Sequence, residues 1–394
     1  MALTKATNRV ISGAVINVLD YGAGPDKLPS ENVTAIQAAI DYGASLNGAE
    51  IFFPQGIYNV STPITLKSNL KLTGVGGFLG SHIKGVGAGN IFEYTGSVNF
   101  LEIDGLSFSG TQCTAINGGL GYANTWHIHN CNFWADLNTG IRANLICCDI
   151  GPQNTFGYFG TTTGSLSHII SVGDPGGSGN TTNINRVYNN RMWYANGAGT
   201  SVRFDGGYHV IISGNDFESN SVPSVQIQGM YGSEVHGNWF ENNPFTSVIS
   251  YTNSTVGAIP NLSSVVSHNW FKPAAATTEL INYTGAGAVT FMHNTGTSMA
   301  GVDISNSSDA FIGYSYGNAL TGSSFGSYST WGELTVGADG FNHTVGPKWN
   351  AGAGSPEGVI VAPVGSLYSR TDGGAATSLY VKESGASNTG WVAK

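Results

Sequence analysis

The sequence predicts an all-β chain wound as a right-handed, single-stranded parallel β-helix of about 10–11 coils, with a short N-terminal helix cap and a small β-rich C-terminal module. Three observations carry this. Among 394 residues there are 57 Gly but only 15 basic and 24 acidic side chains, so polarity comes from amides and hydroxyls rather than ions. Gly and Asn favour turns over helices, and a hydrophobic share of 41% is enough for a sizeable core. Beyond about residue 46 no helical period recurs, and a short apolar cassette returns at steps of one coil.

Residues 1–20 read as an N-terminal adaptor segment. The one convincing helix spans 33–46, where Ile36, Ala39, Ile40 and Gly43 recur at helical spacing behind the capping candidates Ser30 and Asn32. Alternating strands at 50–60 and 64–72 are broken by Pro54-Gln55-Gly56 and Pro63. The cassette, apolar-x-x-turn-x-apolar, then carries Thr73, Asp104, Cys131, Asn190, Asn215, Asn238, Asn269 and Asn294 in its fourth slot. The steps between these slots are 31, 27, 59, 25, 23, 31 and 25, so a coil takes 23 to 31 residues and the long gap hides one more. Asn suits the slot because it tolerates a left-handed backbone and its amide can bond to the next coil. The helix body is expected over 21–320, a transition and linker over 321–355, and the C-terminal module over 356–394.

Several function classes are excluded by composition. A formal charge of -9 is the wrong sign for gripping a phosphate backbone, so no nucleic-acid partner is expected. No apolar run is long enough for a membrane span, and the first residues lack an export signal, so synthesis in a cytoplasm is expected. Cys113, Cys131, Cys147 and Cys148 have neither a disulfide framework nor zinc spacing and read as reduced, mostly buried thiols. GVGGFLG (74–80) and GVGAGN (85–90) lack the spacing, lysine and succeeding helix of a phosphate loop. His127 and His129 read as facing opposite sides of a strand, so no metal and no cofactor is expected. No nucleophile-elbow motif occurs.

Candidate chemistry comes from the register. If the sixth slot points inward, the positions beside it point outward and stack from coil to coil. The column after it reads Ser107, Trp134, one unassigned coil, Trp193, Glu218, Glu241, Lys272; the column before it reads Gly105, Asn132, the same coil, Arg191, Asp216, Trp239, Trp270. Aromatic faces for sugar rings, cations and amides for hydroxyl or acidic groups, and paired carboxylates for chemistry make this a polysaccharide cleft. Glu218 and Glu241 stand in matched strings, GNDFESN and GNWFENN, about one coil rise apart, near the spacing of a retaining glycosidase. Asp205 and Asp216 are the alternate partner carboxylates, and Asp104, in the turn slot, reads as structural. The competing reading is a solvated carboxylate ladder neutralised by Lys272 and Arg191, with Trp193, Trp239, Trp270 and Trp134 only binding.

The opening VINVLDYGAGPD, then TAIQAAID, IFFPQGIYNV and LKLTGVG, resembles that of pectate-lyase-like β-helix proteins, above all the tailspikes of tailed phages. Residues 2–14 resemble the short adaptor of such tailspikes, and the ending from Pro363 resembles a terminal module of phage tail and virion proteins. The acidic run usual before the helix in this family is replaced here by GPDKLPSEN. The resemblance implies a homotrimeric virion protein, joined to the phage tail or baseplate through its N-terminal segment. It also implies that the protein binds, and often cleaves, a bacterial surface polysaccharide: capsule, O-antigen or exopolysaccharide. With the column this gives an expected glycoside hydrolase. The rivals are a non-enzymatic receptor-binding or structural tail protein and a polysaccharide lyase.

Overall fold

The computed structural model describes residues 15–87, 89–134, 136–157, 167–173, 182–195, 200–243, 247–255, 261–272, 279–283, 287–296, 302–306, 311–316, 319–320, 347–385 and 387–394. The expected adaptor is described only from Val15 and the expected transition only from Pro347; the rest of each lies outside the described residues. Two compact units are present, Met1–Trp331 and Gly332–Lys394.

The first unit is a parallel β-helix. Among the described residues a 20-stranded sheet and an 11-stranded sheet run along it, and the strand pairings within each are parallel, each strand bonding to its equivalent one coil on. The short sheet takes one strand from each coil. Inside, Phe108, Phe133 and Phe156 stack with ring centres 5.1 and 4.4 Å apart, and Phe217, Phe240 and Phe271 stack at 5.0 Å per step. Each of these rings is 0–1% exposed, and burying one contributes roughly 1.5–3 kcal/mol.

The cap helix spans Pro29–Ser45, four residues earlier than its periodicity suggests. Pro29 supplies the fixed φ of a first helical residue, and the Glu31 carboxylate accepts the Leu28 main-chain N–H at 2.9 Å. The two capping candidates are therefore inside the helix. Asn32 is fully buried, accepting from Gly24 N–H and donating to the Asn59 carbonyl, so it ties the cap to the first coil. Ile36, Ala39, Ile40 and Gly43 do face the core. A Cβ on Gly43 would lie 2.8 Å from Ile51 Cδ1, 3.1 Å from Leu70 Cδ2 and 3.2 Å from Ala49 Cβ, so any larger residue would have to displace these core side chains.

The turn slot holds a continuous buried amide ladder. Asn154, Asn190, Asn215, Asn238, Asn269 and Asn294 are 0–2% exposed. Each Oδ1 accepts a main-chain N–H from the slot residue of the preceding coil, from Cys131 through Asn269, at 3.0–3.2 Å. Each Nδ2 donates to a carbonyl of that same coil, from Ile128 through Val266, at 2.8–3.0 Å. Asn154 belongs to the coil hidden in the 59-residue gap. Its turn, Ile150 to Phe156, is one residue longer than the others, which is why the cassette misses it.

The early coils correct two slot assignments. Phe108, not Leu106, pairs with Phe133, so Leu106 fills the slot expected for Asp104, and Ser107 precedes the inward residue instead of succeeding it. Asp104 pairs with His129 in the long sheet instead, and Thr73 pairs with Asp104 there, so Ser81 rather than Thr73 is the equivalent of Leu106 one coil earlier.

The second unit is a four-stranded sheet of Trp349–Gly352, Leu367–Arg370, Leu379–Lys382 and Trp391–Ala393 around Ala362, Tyr368, Tyr380 and Trp391. Its first strand lies upstream of residue 356. Lys382 is buried, donates to the carbonyls of Ser387 and Thr389, and lies 5.8 Å from the Trp391 ring centre.

Asn238→Ala leaves the Asn215 N–H and the Ile212 carbonyl buried without partners. The expected cost is roughly 2–6 kcal/mol, read as a lower denaturant midpoint of the first unit.

Candidate functional site

Short strands of the 11-stranded sheet place the site. Arg191–Trp193, Asp216–Glu218, Trp239–Glu241 and Trp270–Lys272 have three residues each, with the central one buried. Only two side chains of each such strand can then face outward, and they fall into the two columns the spacing predicts. Arg191, Asp216, Trp239 and Trp270 are successive ladder partners, as are Trp193, Glu218, Glu241 and Lys272.

A second amide ladder, outside the turn slot, fixes the other end of these strands. Asn220 and Asn243 are 0% and 2% exposed; Asn220 Oδ1 accepts from Ala195 N–H and Asn243 Oδ1 from Asn220 N–H, at 2.8 and 2.9 Å. Their Nδ2 atoms donate to the Met192 and Phe217 carbonyls. The six-residue cassette ends before these positions and does not reveal them, although GNDFESN and GNWFENN each carry both asparagines. Trp193 gains a further support from His168, whose Nε2 faces the Trp193 carbonyl at 3.0 Å while Nδ1 faces Ser201 Oγ at 2.6 Å. A carbonyl only accepts, so Nε2 carries the proton and Ser201 donates to Nδ1. Burial pushes the His168 pKa down to about 3, which keeps this support neutral.

Electrostatics separate the carboxylates. Glu218 is raised above the usual carboxyl range by partial desolvation, then by the nearby charges of Asp216 and Glu241. Asp216 is also raised, chiefly by desolvation, although Trp193 donates its indole N–H to Asp216 Oδ2 at 3.0 Å. Glu241 is lowered, first by the hydrogen bond from the Lys272 ammonium and then by the Trp239 indole N–H at 2.9 Å. One rung of backbone thus separates a carboxyl group whose pKa is raised from one whose pKa is lowered.

The aromatic residues do not all present open faces. Trp239 and Trp270 stack with ring centres 3.6 Å apart at 12°, so they form one block, of which Trp239 is 42% exposed. The Arg191 guanidinium lies 5.9 Å from the Trp193 ring centre. Trp134 is two rungs from Trp193, stacked 5.1 Å from His82 and edge-on to Phe78, and does not join the carboxylate group. Asp205 is likewise apart: it is 0% exposed on the long sheet, where Oδ1 accepts from Ser254 and Thr255 and Oδ2 from Arg203 and Thr255. With every acceptor position taken, it anchors residues 254–255 and is not available as a partner carboxylate.

His127 and His129, two residues apart, share one strand face rather than opposite ones, because side chains alternate with period two. They have different partners: His127 faces Asp149 at 3.5 Å, His129 faces Glu102 and Asp104 at 3.1 and 3.3 Å. The ligand atoms of Glu102, Asp104 and His129 lie within 4.8 Å of one another, but Lys71 Nζ, 3.0 Å from Glu102, already supplies a cation there. Cys113, Cys131 and Cys148 are buried free thiols and Cys147 is exposed. Among the described residues no helix is long and apolar enough to cross a membrane.

Residues 15–225 match the family model described as rhamnogalacturonase A/epimerase, pectate lyase-like, a span that is more than half of the chain. The chain belongs to this pectate-lyase-like family. The match includes Glu218 and stops short of Glu241. A search of the curated proteins finds no match. Among solved structures, this pectate-lyase-like chain is similar to the tailspike protein of Acinetobacter phage vB_ApiP_P1, at 22% identity and TM-score 0.68, over 93% of this chain and 72% of that one. It is also similar to the tailspike of Acinetobacter baumannii phage AM24, at 14% identity and TM-score 0.51, over 79% and 54% of the two chains. A mutant tailspike of E. coli bacteriophage HK620 in complex with a pentasaccharide gives 14%, 0.51, 79% and 67%. These likenesses establish a tailspike-like parallel β-helix.

The opposed shifts give stability a pH signature. Glu218 binds its proton more tightly in the folded state, so the stability this contributes is present at low pH and lost as pH rises through its raised pKa. Glu218→Gln should therefore raise the melting temperature at pH 7, with the gain vanishing below the usual carboxyl range. Glu241 has the reverse sign: its contribution is present above the usual range and lost as pH falls through the lowered pKa. Glu241→Gln should lower the melting temperature at pH 7 and be neutral in acid.

Proposed function

We propose that this protein is a phage tailspike that binds a bacterial surface polysaccharide and hydrolyses glycosidic bonds in it, with the chemistry on the Trp193–Glu218–Glu241–Lys272 column. The observation that carries the reading is the pairing, one rung apart, of Glu218, whose pKa is raised, with Glu241, whose pKa is lowered, on a face that also bears tryptophan and cations. The tailspike-like fold supports the assignment to a virion. In this reading the chain is a homotrimer made in the host cytoplasm and attached to the tail or baseplate through its N-terminal segment.

Glu218 donates its proton to the glycosidic oxygen as the C1–O bond breaks, and the Glu241 carboxylate stands at the anomeric carbon. Adjacent rungs are about 4.8 Å apart, which favours the roughly 5 Å geometry of a retaining pair with Glu241 as nucleophile. Water then releases the glycosyl group, with Glu218 returning as base. Asp216 raises the Glu218 pKa through its charge and holds Trp193 by hydrogen bond. Lys272, on an exposed stem, keeps Glu241 ionised until substrate displaces it. Arg191, Trp193 and the Trp239–Trp270 block bind sugar on either side.

A binding-only function is favoured by one observation: Lys272 and Trp239 between them occupy both Glu241 oxygens. A lyase would leave unsaturated, ultraviolet-absorbing ends.

The test is release of reducing ends from a panel of capsular, O-antigen and exopolysaccharides. Glu218→Gln should slow release by about 100-fold or more while leaving binding intact. Unimpaired release by Glu218→Gln and Glu241→Gln would refute the assignment, ultraviolet-absorbing products would indicate a lyase, and binding without shortening would leave a receptor-binding protein.

A further inference from the structure

Away from the carboxylate columns, one corner of the early coils holds a second constellation. Leu70, Leu101 and Trp126 are successive ladder partners in the long sheet, so the residues just before them, Asn69, Phe100 and Thr125, occupy one corner position in three consecutive coils. All three are left-handed, with φ of 62°, 54° and 58°. Asparagine tolerates that backbone, whereas a phenylalanine there is strained. Phe100 is also 61% exposed, so core packing does not account for it either. A strained aromatic residue that buries little of itself points to a ligand.

Phe100 forms one wall of a pocket of about 460 Å³, the size of a small-molecule site. The adjoining strands supply Lys71, Glu102 and His127, themselves successive ladder partners with partly exposed side chains. Lys71 Nζ and His129 Nε2 both meet Oε1 of Glu102, at 3.0 and 3.1 Å, so Oε2 is the oxygen left to accept from a ligand. Asn69 and Thr125 add an amide and a hydroxyl. The ammonium of Lys71 and the carboxylate of Glu102 cancel, which favours an uncharged guest. An aromatic face beside both donors and acceptors matches a pyranose, whose C–H face packs on the ring and whose hydroxyls donate and accept.

We propose that this pocket is an accessory site for a neutral hexopyranose, stacked on Phe100 and bonded through its hydroxyls to Lys71, Glu102 and Asn69. The short strand of the Phe100 coil is four rungs from that of Glu218, about 20 Å along the axis at roughly 4.8 Å per rung. The pocket is thus separate from the carboxylate face in position as well as in sheet. A polymer held at both places binds more tightly than either alone allows. The site needs no carboxylate pair and goes beyond the proposed hydrolysis.

The probes are D-glucose, D-galactose, D-mannose and L-rhamnose, each titrated by saturation-transfer NMR against the full chain, its Trp239→Ala variant and its Phe100→Asn variant. At least one sugar should bind the Trp239→Ala chain as it binds the unaltered one, and Phe100→Asn should weaken it on the order of tenfold, the worth of a ring-stacking contact. Asparagine already fits this corner at position 69, so Phe100→Asn should keep or raise the melting temperature while it loses the sugar. Binding of none of the four, binding lost in Trp239→Ala and kept in Phe100→Asn, or a lower melting temperature in Phe100→Asn would overturn the site. A change in sedimenting mass on Phe100→Asn would also overturn it, because the corner would then be a contact between copies of the chain. If the pocket binds a hexose in a protein that cleaves no polysaccharide, only the hydrolase reading falls; if cleavage proceeds and Phe100 binds nothing, only this site falls.

Discussion

From Cys131 to Asn294 the register of the first unit depends on a column of buried asparagine amides. Each spans two coils, accepting one main-chain N–H and donating to one carbonyl, so a coil displaced by one residue would strand several polar groups in the core. A stranded group costs roughly 1–3 kcal/mol, whereas each satisfied bond adds only about 1 kcal/mol net. The ladder therefore acts mainly by penalising wrong registers. Once register is fixed, phenylalanine falls inward and its neighbours outward, and a slip of one would reverse both.

That constraint explains how a chain so poor in charge concentrates chemistry. Three-residue strands leave two outward positions per coil, and between two amide ladders neither position has freedom to drift. Carboxylates at matched positions of adjacent coils must then lie one rung apart. Their different pKa directions come from partial desolvation at Glu218, reinforced by the charges of Asp216 and Glu241, and at Glu241 from the lysine on the next rung and the Trp239 indole N–H. The same stacking sets a limit, since in-register tryptophans cover each other's faces, and Trp239 and Trp270 act as one block rather than two platforms.

The sequence is legible where the repeat is marked by a polar residue with a structural reason to recur. From Asn190 onward the turn slot reads directly, and both outward columns come from it. Before that, Leu106 and Cys131 fill the slot with apolar side chains, and a one-residue insertion conceals Asn154, so register there emerges only from the strand pairings. The helix start is displaced from its expected position because Asn32 has the chemistry of a cap but serves as a buried tie to residue 59. Asp205 has the chemistry of a catalytic carboxylate, yet its partners Ser254 and Thr255 lie about 50 residues away, a distance at which spacing carries no information. The second amide ladder is concealed for a different reason: its asparagines stand in the matched strings, but beside glutamates whose chemistry is the more conspicuous signal.

The most direct test is a crystal structure of the Glu218→Gln variant soaked with an oligosaccharide from a surface polysaccharide that the protein binds. A glycosidic oxygen should sit within hydrogen-bond distance of residue 218, with Glu241 on the far side of the same anomeric carbon. A saccharide seated only on the long sheet, or crossing this face with neither residue at a glycosidic bond, would contradict the account.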